Sequence, residues 1–259
     1  MDLQYILFTM EDGIGRIQFN RPAKLNAVNS DVLMDLEKAL DQCLEDENIR
    51  VVILTGNEKA FVAGADVKDM STGDIRFAYS LADLTLRVQE KLADLPKPTI
   101  AAISGYALGA GCELALCCDF RIASDNAVLG LPEISLGIIP GGGGTQRLPR
   151  LVGLSAAAEM ILLGKTVKAD RAENLSLVNK VVPLDDLERE SRELANTLIK
   201  MPAVALRAAK TAMRKGLGLS LKDGLQMEQD LFCMLFGTQD QKEGMAAFME
   251  KRKPVFRGK

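Results

Sequence analysis

The stretch from 101 to 147, AAISGYALGAGCELALCCDFRIASDNAVLGLPEISLGIIPGGGGTQR, constrains this chain more than any other. Glycines at 105, 109, 111, 130, 137 and 141–144 punctuate it so closely that no element inside it can be long. A buried strand at 99–103, a glycine turn at 105–111, a short apolar helix over 110–118 and strands at 120–123 and 127–130 are what this spacing predicts. Two glutamates stand in this setting. Glu113 lies in Gly-Cys-Glu-Leu-Ala-Leu-Cys-Cys, and Glu133 follows Leu131-Pro132 and precedes Ile134. A carboxylate in such apolar company is usually paired or working, because burying its charge costs several kcal/mol or more. Taken singly, Glu113 also reads as a first-turn acid answering the helix dipole, and Glu133 as a surface turn acid. Together, beside the glycine turns, they read as an acid/base pair.

The rest of the chain frames that stretch. Residues 5–8 and 15–19 read as two strands joined at Glu11-Asp12-Gly13, and Arg21-Pro22 stops the second. Asn29 or Ser30 caps a helix in which Val32, Leu33, Leu36, Leu40, Cys43 and Leu44 recur at helical spacing. A buried strand follows at 51–55, then a small glycine-centred segment at 61–66 where backbone can approach a ligand closely. Asp66 reads first as a helix cap. A helix is predicted over 74–94, ended by Pro96-Lys97-Pro98. Beyond Thr145 the chain turns largely helical, with segments at 155–163, 169–175, 184–200, 202–215, 221–236 and 239–251 and one strand at 177–182. This shift predicts an α/β core with a helical C-terminal appendage, divided as 1–195 and 196–259. The strand-strand-helix grouping recurs without a strict sequence repeat.

Composition narrows the chemistry. The 259 residues, 47% hydrophobic and 26% charged, suit a soluble globular core. A net charge of -3 gives no reason to expect nucleic acid or an anionic membrane as partner, and Lys251-Arg252-Lys253 is too short a basic cluster to change that. No run is long enough to span a bilayer and the first residues lack a signal pattern, so a cytoplasmic location is expected. Cys43, Cys112, Cys117, Cys118 and Cys233 form no C-x-x-C pair and read as small buried hydrophobes. There is no histidine at all, which removes Ser-His-Asp and Cys-His catalysis and the common zinc sites. Carboxylates or backbone groups must carry any chemistry.

Backbone donors are on offer. Gly141-Gly142-Gly143-Gly144-Thr145 continues with Gln146-Arg147 rather than the Gly-Lys-Ser/Thr of a P-loop, and so reads as a turn feeding a helix. It still leaves N–H groups free for a water or polar substrate atom. The segments 63–66 and 109–112 together can supply the two converging N–H groups that an oxyanion hole requires.

At these residues the sequence closely resembles the crotonase (enoyl-CoA hydratase) family. The likeness runs through NRPAKLNA at 20–27, FVAGAD at 61–66, GYALGAGCEL at 105–114, PEI at 132–134 and GMAAFMEKRK at 244–253. It implies a right-handed spiral of repeated ββα units with a C-terminal helical region that mediates homotrimers, commonly paired into homohexamers. It implies that the N–H groups of Ala65 and Ala110 form the oxyanion hole, that Glu113 and Glu133 are catalytic, and that Gly141 helps hold the reacting water. Ala23, Lys24, Leu25, Ala63, Asp66, Val67 and Lys68 match positions lining the CoA site, and Phe248 and Lys251 match residues reaching the CoA of a neighbouring subunit. The activity implied is hydration of short-chain 2-enoyl-CoA thioesters. CoA arrives as part of the substrate, and no metal or redox cofactor is expected. A Δ3,Δ2-enoyl-CoA isomerase is the enzymatic alternative, and a non-catalytic RNA-binding relative is disfavoured by the acidic balance. Departures from the family pattern are Ala110 in place of a frequent glycine, Leu131 in place of a frequent glutamine, and Gly142 in place of a larger residue.

Overall fold

The computed structural model of the protein describes residues 3–258; Met1, Asp2 and Lys259 lie outside the described residues. The chain begins with β1 (Ile6–Glu11), β2 (Ile14–Phe19), a 3-10 turn at Pro22–Lys24, α1 (Ser30–Glu45), β3 (Val51–Thr55), β4 (Ala60–Val62), α2 (Val67–Met70) and α3 (Ile75–Ala93). The central part holds β5 (Thr99–Ile103), β6 (Tyr106–Leu108), α4 (Ala110–Cys117), β7 (Phe120–Ser124), β8 (Val128–Gly130) and a 3-10 turn at Pro132–Leu136. Then come α5 (Gly144–Val152), α6 (Leu154–Leu162), β9 (Thr166–Lys168), α7 (Ala169–Asn174), β10 (Lys180–Val182) and α8 (Leu187–Ile199). Helices α9 (Ala203–Gly216), α10 (Leu221–Leu235) and α11 (Gln239–Met249) close the chain.

Two sheets arise from one repeated unit. A six-stranded sheet runs β1-β2-β3-β5-β7-β10, parallel except for the β1–β2 hairpin, and a four-stranded sheet runs β4-β6-β8-β9. Successive pairs β3/β4, β5/β6 and β7/β8 each send one strand to each sheet before a helix returns the chain. This is the recurring strand-strand-helix unit expected from the sequence.

The unbroken apolar runs at β3 and β5 follow from burial on both faces. Val52, Leu54, Ala101 and Ile103 face the main core with α1, α3 and α4. Val51, Ile53, Ile100 and Ala102 face a second core, closed by Leu187, Ala195 and Leu198 of α8. Cap chemistry sets the helix starts. Asn29 accepts from Val32 N–H ahead of α1, and Asp74 accepts from Phe77 N–H ahead of α3.

Some expectations needed adjustment. The strands β4, β6 and β9 have three residues each, too few to display an alternating pattern, and were not anticipated. The strand expected over 177–182 pairs only at Lys180–Val182. Four cysteines are buried as expected, but Cys233 is exposed, because α10 buries no residue in the core. No helix among the described residues is long and apolar enough to cross a membrane.

Candidate active site

Glu113 enters the site at the first turn of α4. The turn before it depends on Gly109, whose φ of 51 and ψ of -122 suit a residue without Cβ. That conformation reverses the chain out of β6 and leaves Ala110 as the first helical residue. Seven of the eight residues of α4, Glu113 included, are buried. Glu113 is 3% exposed.

Its carboxylate is held by backbone. Oε1 accepts from Gly142 N–H at 2.8 Å and from Gly144 N–H at 2.9 Å, so the glycine run clamps one carboxylate oxygen with two donors. Burial raises the Glu113 pKa above the ordinary range; the two glycine N–H groups and the Arg147 charge pull the other way. Arg147, on α5, in turn donates to Gly142 carbonyl at 2.8 Å and steadies the loop.

Glu133 stands on the facing 3-10 turn. Its Oε1 approaches Gly109 so closely that a Cβ there would lie 3.2 Å away. Its Oε2 is buried and has no hydrogen-bond partner among the described residues. Burial is the main cause that pushes its carboxyl up to about 7; its own backbone N–H opposes this and the Glu113 charge adds to it. The glutamates thus occupy unlike environments: one is clamped by donors, the other is left without them.

Both line one cavity of about 450 Å³, in the size range usual for small-molecule sites. Its remaining wall is mostly apolar, with Met70, Phe77, Leu81, Leu136, Ile138 and Ile139 prominent and Asp74 and Thr85 as polar members. Ala65 and Ala110 line it from opposite segments, and among the described residues neither backbone N–H has an acceptor. Gly141 also lines it, in open space on its Cα side.

Of the expected binding residues, Ala63 and Val67 line this cavity. Ala23, Lys24 and Leu25 sit beside it on the first 3-10 turn, joined to it where Ala63 N–H donates to Leu25 carbonyl at 3.0 Å. Asp66 does not line it. Its carboxylate caps α2 through Lys68 N–H and pairs with Arg21 at 2.8 Å, the structural role its sequence position first suggested. Lys68 follows on α2, outside the lining. Phe248 and Lys251 lie at the far end of α11, apart from this chain's cavity, and Phe248 is 86% exposed.

The sequence offers the N–H groups of the glycine run for a water or substrate atom, whereas Gly142 and Gly144 donate to Glu113 instead; Arg147 and Gln89 were not expected as parts of the site. Gln89 left a signal: it is a polar residue beside Val88 and Leu92 on the buried face of α3.

Comparison with known proteins agrees with this architecture. The family model for enoyl-CoA hydratase/isomerase matches residues 9–259. A probable enoyl-CoA hydratase of Mycobacterium tuberculosis is 47% identical over 99% of both chains. A crotonyl-CoA hydratase of Syntrophomonas wolfei is 41% identical, again over 99% of both. The crystal structure of an enoyl-CoA hydratase from Bacillus anthracis superposes with a TM-score of 0.95 at 42% identity, covering 99% of this chain and 100% of that one. The chain belongs to the enoyl-CoA hydratase/isomerase family of the crotonase superfamily.

Proposed function

We propose that this enzyme adds water reversibly across the α,β double bond of short-chain 2-enoyl-CoA thioesters to give 3-hydroxyacyl-CoA. One observation carries the reading: two carboxyl groups of unlike environment line the same cavity as two unpartnered backbone N–H groups. The N–H groups of Ala65 and Ala110 serve as the oxyanion hole. They bind the thioester oxygen as negative charge develops on it, and one such donor is typically worth about 10²–10³ in rate.

Water, held at Gly141 and Glu113, loses a proton to Glu113 as its oxygen bonds to Cβ. The π electrons move toward the thioester as an enolate, and Glu133 delivers its proton to Cα. Glu113 suits the base, since its clamping N–H groups stabilise the anion. Glu133, at about 7, suits the acid, since it keeps a proton into neutral solution. The apolar wall accommodates a hydrocarbon acyl chain. The reading calls for no metal or redox cofactor, because CoA enters with the substrate.

It assigns Ala23, Lys24, Leu25, Ala63, Val67 and Lys68 to the mouth of the site, where CoA would lie, with Asp66 supporting them through its cap and Arg21 pair. Phe248 and Lys251 are assigned to the CoA site of a neighbouring copy in a homotrimer or hexamer. The exposed apolar residues Met213, Leu217, Leu221, Phe232 and Met234 on and beside α9 and α10 support such an assembly. A cytoplasmic location suits the four buried free thiols.

The test is loss of the ultraviolet absorbance of crotonyl-CoA on adding enzyme, with Glu113→Gln alongside. Rapid loss in the wild type and near silence in the variant is the expected result. Silence of the wild type with crotonyl-CoA and with longer, cyclic or dicarboxylic enoyl-CoAs would overturn the reading.

A further inference from the structure

Behind Glu113 lies a side chain that the chemistry above does not use. Gln89 projects from α3 and is 1% exposed. Its Oε1 accepts from Arg147 Nη1 at 3.2 Å and lies 3.7 Å from Cys117 Sγ. An arginine only donates, so this contact fixes which way the amide faces. Nε2 therefore turns to the glycine run, buried and without an acceptor among the described residues.

Its neighbourhood is telling. A Cβ on Gly142 would lie 2.3 Å from Gln89 Nε2 and 2.6 Å from Glu113 Oε2. The unpartnered donor and the second oxygen of the carboxylate border the same gap, which exists because residue 142 is glycine. Arg147 ties both ends together, since the same Nη1 also donates to Gly142 carbonyl at 2.8 Å. We propose that Gln89 is a positioning residue for Glu113: with Arg147 it holds the Gly142 loop and turns an amide N–H toward Glu113 Oε2, fixing the orientation of the carboxylate and favouring its charged form.

A buried donor without an acceptor costs stability, so its presence calls for a role of this kind. The other groups facing Glu113 are the Gly142 and Gly144 N–H donors on Oε1, Arg147 on α5 and Glu133 across the cavity, while Cys112 and Cys117 on its own helix are kept as neutral thiols by burial. Gln89 is the side-chain amide among them, on the Oε2 side.

Gln89→Met, which keeps length and removes the donor, is the test. In glutamate-labelled protein, ¹³C NMR follows the carboxyl carbon of Glu113, assigned by its disappearance in Glu113→Gln. The expected midpoint in Gln89→Met is higher than in wild type by about half a pH unit or more. An unchanged midpoint overturns the proposal. This readout stands without any activity, so it decides Gln89 even where hydration of enoyl-CoA fails.

The kinetic part rests on the hydratase reading. With crotonyl-CoA, kcat falls about 5–20-fold at nearly constant KM, and the acidic limb of the pH profile moves upward. A variant that melts higher than wild type with kcat and pH profile unchanged would make Gln89 mere packing and sink the idea. Should Gln89→Met not fold, Gln89→Leu removes the same donor without adding a charge. It must then raise the Glu113 midpoint, and failure to do so is equally decisive.

Discussion

The start of α4 and the 3-10 turn at Pro132–Leu136 present the same side chain to one cavity in opposite ways. At the first, Glu113 is nearly inaccessible and two glycine N–H groups grip a single oxygen. At the second, Glu133 is half-buried and one oxygen has no partner among the described residues. Burial raises both, but only Glu113 is compensated by donors from elsewhere in the fold. The lesson is that proton affinity is set by which backbone groups reach the carboxylate, and burial alone does not assign base and acid.

The sharpest way to break this comparison is to delete each charge. Glu113→Gln retains an oxygen for the two glycine N–H groups but cannot accept a proton. Hydration should drop by about 10³–10⁴ with the fold intact, checked by crotonyl-CoA absorbance and circular dichroism. Glu133→Gln should cost somewhat less, about 10²–10³, and abolish the decline in kcat/KM expected of wild type as pH rises through about 7. A wild-type rate in Glu133→Gln would end its role as the acid.

A smaller effect tests the clamp. In Gly142→Ala a methyl group would meet Gln89 Nε2 at 2.3 Å and Glu113 Oε2 at 2.6 Å, so the carboxylate must shift. A loss of about 10-fold in kcat is expected, of the size that misplacing a reacting group produces. Steady-state kinetics on the folded variant would check it.

The smallest effect is thermodynamic. Glu133 rises from the usual 4.5 to about 7 on folding, so the folded chain holds this proton where the unfolded chain has lost it. The stability this contributes is full below about 4.5 and is lost as pH climbs to about 7. Glu133→Gln should therefore melt above wild type at pH 8 and lose most of that advantage at pH 4.5. Equal melting temperatures at both would show that burial of Glu133 carries no such cost.

Much of the fold was legible in residue order, and for identifiable reasons. Strands β3 and β5 are buried at every position and carry unbroken apolar runs at 51–54 and 100–103, because parallel strands covered on both faces favour apolar side chains. Helix α3 matched its expected limits within a residue because Asp74 caps it and Pro96 follows it. Strands of three residues left no period to read. The glutamates were legible because charge amid small apolar residues is conspicuous. Arg147 and Gln89 were not, since their part depends on α3, α4 and α5 meeting behind the carboxylate.

Sequence alone determined which groups are available: two glutamates in apolar settings, glycine turns with free backbone donors, and no histidine to share the work. Tertiary structure decided what each of them is. Hydrogen bonds from Gly142 and Gly144 reach Glu113 across about thirty residues of chain and leave Glu133 without an equal clamp. Side-chain chemistry is a local property, but the electrostatic environment that separates a base from an acid is built from distant segments brought within hydrogen-bond reach.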